Sequence, residues 1–152
     1  MSTINSYRDG PGGRVLKPSN WEELYALTRH WKSDMEFYRD DLRFLHKLID
    51  RYFIWITKEE NVDSVRKIEN GLLNLERRCR DLLAKVSKHL SQLGRVIEEP
   101  EMDMSHIFQV EHGHLEDALA VFVKDVRQHR KEVFRITELV ADSEQLRKAF
   151  ET

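Results

Sequence analysis

Acidic side chains recur along one edge of this chain's apolar repeats. Asp34 and Asp41 are seven residues apart, as are Glu69 and Glu76, and Glu111, Asp125 and Glu132 are separated by multiples of seven. His129 follows Asp125 by four, the spacing that puts both on one helix face. Folding the chain at two turns, near residues 58–59 and near residue 102, brings Asp41 level with Glu76 and Glu76 level with about residue 128. One layer then collects Asp41, Glu76, Asp125, His129 and Glu132, with Tyr38 one turn away. Carboxylates and an imidazole pointing inward from facing helices are what a di-iron or other divalent site is built from, so iron, manganese or zinc is the metal this layer would take. The set departs from the ferritin-like pattern, because no Glu-x-x-His stands at the matching places. A run of histidines of the hemerythrin kind is also missing. The competing reading is a network of salt bridges between helices, since Arg78 and Lys85 on the other flank of the second helix fall at suitable levels for Asp34, Asp41 or Asp125.

Two other constellations carry chemistry. His89 falls on a core position level with Thr28 and about residue 115, so His112 or His114 approaches it. Because His112 and His114 are two apart, they do not share a helix face, which argues against joint chelation. The expected arrangement is one core histidine with a hydrogen-bond partner and one exposed histidine, with a metal or pH-switch role as the alternative. Cys79, between Leu75 and Leu82, reads as a buried thiol with a raised pKa and the behaviour of a small hydrophobe. His30 and His46 lie off the seams and read as surface residues. The chain has no glycine-rich phosphate loop, paired Cys-x-x-Cys, His-Glu-x-x-His or Gly-x-Ser-x-Gly turn, which disfavours an enzyme of a common type.

The elements that must position these groups are helices. Leu24, Thr28, Trp31, Met35, Tyr38, Leu42, Leu45, Ile49, Tyr52 and Ile56 alternate in steps of four and three, the spacing of a left-handed packing seam. Val65, Ile68, Leu72, Leu75, Cys79, Leu82, Val86, His89, Leu93 and Val96 repeat the rhythm. So do Phe108, His112, Leu115, Leu119, Phe122, Val126, His129, Val133, Ile136 and Val140. Ser19 with Glu22 has the capping-box spacing, Asn61 and Asp63 can cap the second helix, and Asp103 or Ser105 the third. Pro100 stops the second helix, and Asp142 with Gln145 suggests a new cap. The expectation is an all-α fold: an elongated up-down-up antiparallel three-helix bundle, with helices at about 20–57, 62–98 and 105–141 and a short C-terminal helix at 143–150. Residues 1–18, with three glycines and two prolines, read as a flexible tail before a single domain over 19–152.

Composition narrows the partners. Lys and Arg number 25 against 27 Asp and Glu, interleaved in sign, for a net charge of −2. No positive field exists to draw in nucleic acid. One cysteine excludes an intrachain disulfide and fits a reducing, cytoplasmic setting. No stretch approaches the ~18 apolar residues of a membrane span.

The first helix is apolar over more of its surface than two neighbours need, because Leu27, Phe37, Phe44, Leu48 and Trp55 flank its seam. Phe37, Phe44 and Trp55 are therefore candidate interface residues. The function expected first is a non-enzymatic module for protein–protein contact, binding a partner helix or a second copy as a homo-oligomer. The alternative is a metal-binding carboxylate and histidine bundle.

Overall fold

Charged and apolar residues in strict helical alternation, with few glycines or prolines between them, leave the chain one economical solution: long helices that bury a stripe against one another. A computed structural model describes residues 21–60, 62–99 and 105–151, which form α1 (Trp21–Glu59), α2 (Val62–Glu98) and α3 (Ser105–Glu151). The tail at 1–18, the cap at Ser19 and those at Asn61 and Asp103 lie outside the described residues. Only Glu60 and Asn61 separate α1 from α2, so the two run antiparallel as neighbours, and α1 packs more extensively on α2 than on α3. Helix ends follow electrostatics, with Glu22, Glu23 and Asp63 in first turns and Lys58 and Arg95 in last turns.

The expected separate C-terminal helix is absent, because α3 is continuous through Asp142 to Glu151. An Asp followed three residues on by Gln resembles a capping box, but nothing there breaks the ladder, and Glu, Leu, Arg, Lys and Ala all favour helix. Gly113 does not interrupt α3 either.

The three stripes meet as the spacing requires. Trp31, Met35, Leu42, Leu45, Ile49 and Ile56 of α1 are fully buried with Leu72, Cys79 and Val86 of α2 and Leu119, Phe122 and Val133 of α3. This long core is distinct from a small one at the other end, made of Trp21, Leu24, Leu93, Val96 and Phe108. Between the two cores lies a layer of buried polar side chains: Thr28, His89 and His112. None of the described helices is long and apolar enough to cross a membrane.

Candidate functional site

The mid-bundle carboxylates occupy flanking positions of their helices, and a flanking position points along a groove rather than to the bundle axis. Each of the three grooves receives one pair. Between α1 and α3, Arg130 Nε donates to Asp41 Oδ2 at 3.3 Å. In the groove between α1 and α2, His46 Nδ1 lies 2.7 Å from Glu76 Oε1, a hydrogen bond in which the imidazole must be the donor. Between α2 and α3, Arg78 Nη1 meets Asp125 Oδ2 at 2.9 Å. A fourth pair, Arg135 Nη1 with Glu60 Oε1 at 3.2 Å, ties α3 to the end of α1.

The expected metal layer is therefore not assembled. Asp41, Glu76 and Asp125 face three different grooves, and each engages a basic partner on another helix. His129 faces none of them: its Nε2 donates to the Ile68 carbonyl oxygen at 2.7 Å, while Nδ1 is 3.9 Å from Glu132 Oε2 in its own helix. That bond exists because residue 71 is glycine. A Cβ there would collide with Cε1 of the His129 ring and sit 2.8 Å from its Nε2. His46, read as an incidental surface residue, is half-buried and engaged instead. The clue to it was present, since His46 is one position past the core residue Leu45 on the edge that faces Glu76.

Burial tunes these groups. Asp41, with a side chain only 10% exposed, has its pKa raised by desolvation, against the pull of Arg130. Tyr38 beside it is raised by burial and then by the negative charge of Asp34. Burial pushes the Cys79 thiol up to about 11, and its Sγ donates to the Met35 carbonyl oxygen at 3.4 Å, in keeping with an inert core thiol.

A different trio comes together on the α1–α2 side. Ligand atoms of His46, Asp50 and Glu69 all lie within 4.8 Å of one another. His46 Nε2 faces Asp50 Oδ2 at 3.8 Å while Nδ1 is held by Glu76. One imidazole and two carboxylates suit a divalent ion of intermediate softness, and a carboxylate behind the imidazole is the arrangement that orients a histidine ligand.

In the polar layer, His89 Nε2 and His112 Nδ1 are 3.1 Å apart, with His112 stacked on Trp31 at 4.5 Å between ring centres. Thr28 caps its own helix wall by donating to the Leu24 carbonyl oxygen at 2.7 Å. One imidazole must donate and the other accept, so the pair is held together only while at least one ring nitrogen is bare. Desolvation lowers the His89 pKa to about 4, and its Nδ1 has no hydrogen-bond partner among the described residues, with Glu111 Oε2 3.9 Å away.

No family model, curated protein or solved structure matches this chain.

The interface candidates divide. Phe37 and Phe44 are 63% and 51% exposed, one above the other on α1. Trp55 is half-buried, packs onto the long core and has the Lys58 ammonium 4.7 Å from its ring centre. Leu27 and Leu48 also fold in against the core.

Proposed function

We propose that the protein is an interaction module that self-associates through the outer face of α1. The observation that carries this reading is the exposure of Phe37 and Phe44, two aromatic rings seven residues apart on one stripe. Large apolar side chains stacked this way on a solvated helix are costly to leave in water and are typical of contact surfaces. The occupant that fits is a second copy placed antiparallel. About the midpoint between the two rings, Phe37 of one copy meets Phe44 of the other, and Asp34 and Lys47 are equidistant from that midpoint, so opposite charges flank the aromatic centre twice. The two central carboxylates are already served, Asp40 by Arg39 and Arg43 and Asp41 by Arg130.

Sedimentation equilibrium over a concentration series tests this. A monomer–dimer equilibrium is expected, abolished by Phe37→Ser with Phe44→Ser while the circular-dichroism melt is retained. A strict monomer at high micromolar concentration would overturn it.

The second reading is divalent-metal binding, favoured by the convergence of His46, Asp50 and Glu69 in front of Glu76. Elemental analysis of protein purified without chelator, and again after exposure to iron, manganese and zinc salts, decides it. Near-stoichiometric metal that disappears in His46→Ala supports the reading, and protein that stays metal-free removes it.

A further inference from the structure

Like charges have been gathered where a bundle normally alternates them. A groove of about 410 Å³ runs along the outside of the α1–α2 seam, bordered by Arg39 and Arg43 of α1 and by Glu76, Cys79, Arg80, Leu83, Ala84 and Ser87 of α2. Its size is in the range of small-molecule sites, about 300–1,000 Å³. Its wall is mostly apolar, yet three guanidinium groups stand around it. All three border the same groove as the buried Cys79 thiol, two from α1 and one from α2.

The compensating negative charge is thin. Asp40 serves both Arg39, at 3.4 Å, and Arg43, at 3.8 Å, from a position 66% exposed, where such pairs are worth little. Glu76 is committed to His46. Arg80 has no carboxylate in ion-pair reach among the described residues. Three cations on facing helices with so little opposing charge repel one another and cost stability, in a chain that is net negative and pairs its other inter-helix flanks. An anion in the groove removes that cost.

We propose that this groove binds a small organic phosphate monoester, with its head held by Arg39, Arg43 and Arg80 and its apolar body lying on Leu83 and Ala84. Guanidinium groups fit phosphate oxygens in paired hydrogen bonds. A carboxylate has two oxygens and is satisfied by one such fork, whereas three forks call for the three oxygens and near-double charge of a phosphate monoester. The Ser87 hydroxyl supplies one more donor at the rim. The apolar wall sets an organic phosphate apart from the free ion. Phe37 and Phe44 do not border this groove, so the site is distinct from the self-association surface, with Asp40 between the two.

The experiment is a titration of the full chain with phenyl phosphate, followed by calorimetry and by amide chemical shifts. Saturable binding is expected, with shifts centred on residues 39–43 and 80–87. Affinity should fall at least tenfold when inorganic phosphate or benzoate replaces phenyl phosphate, and at least tenfold in Arg39→Gln with Arg80→Gln. Lys124→Gln, on the far helix, should bind as the unaltered chain does. If the double Gln variant is unfolded, Arg39→Lys with Arg80→Lys keeps the charge, removes the forks and should still weaken binding. Without ligand, Arg80→Gln should melt no lower than the unaltered chain, because it relieves repulsion. Absence of saturation at millimolar phenyl phosphate, unchanged affinity in the arginine variants, or binding to phosphatidic-acid vesicles with none to phenyl phosphate would each overturn the proposal.

Discussion

Two polar tiers of this bundle handle the same problem in opposite ways. Around Thr28, His89 and His112 the polar groups occupy buried core positions between two apolar clusters, the two imidazoles bonded to each other and the hydroxyl to the Leu24 carbonyl oxygen. Some 13 residues further along α1, roughly 20 Å, Asp41, Glu76 and Asp125 occupy flanks and pair across helix grooves with basic side chains. A core position offers no water, so an ion there must lose its charge. On a flank an opposite charge is in reach, and where water is too, as at Asp125, the pair contributes little. Position relative to the seam, more than residue type, sets whether a polar group matters to stability.

The largest effect should appear on acidification. His89 has a folded pKa of about 4 and an unfolded one near 6.5, so between those values the unfolded chain binds more protons and stability falls as pH falls. The full shift corresponds to roughly 3 kcal/mol. Chemical denaturation at pH 7 and at pH 4.5 should show most of this loss, and His89→Gln should flatten the slope through that window. An unchanged slope in that variant would erase the distinction between the tiers.

Next in size is Gly71→Ala. The new methyl group would strike the His129 ring and break its bond to the Ile68 carbonyl oxygen, for a loss of about 1–3 kcal/mol, read from the denaturation midpoint. If the two residues did not touch, His129→Leu combined with Gly71→Ala would lose the sum of the single losses; because they touch, the double variant should lose clearly less than that sum. Their contact implies strong non-additivity.

The smallest effect sharpens the comparison from the other side. A double-mutant cycle on Arg78 and Asp125, whose side chains are 31% and 46% exposed, should return a coupling of about 0.2–1 kcal/mol that shrinks as salt is added. A coupling of several kcal/mol would mean that the flank tier is as consequential as the buried one.

What the sequence made legible was one coordinate of each residue. The four-three rhythm located the stripes and hence three antiparallel helices, and the folding rule put His89 level with the right part of α3. It also put Asp41, Glu76 and Asp125 level. A level says how far along the axis a residue lies, whereas forming a common site requires the angle around the axis as well. That angle depends on which way three helices go round one another, which a heptad pattern leaves open. The continuity of α3 past Asp142 was hidden for a related reason: a capping side chain has local meaning only if the chain actually turns there. Gly71 was silent too, because its role is to be absent from a space that a residue on another helix fills.

That last feature bears on how the fold avoids its near misses. A seam that repeats every seven residues looks almost the same after a slide of one repeat, so α3 displaced by a heptad along α2 would still match apolar side chains to apolar side chains. Only one of the competing alignments has a notch for the imidazole. A slide by seven in either direction would press His129 against Ser64 or Arg78, each of which carries the Cβ that Gly71 lacks, and the Ile68 carbonyl would lose its second donor. The glycine and the histidine thus act as a key and its keyway, rejecting translational copies of the structure that the hydrophobic pattern by itself would tolerate.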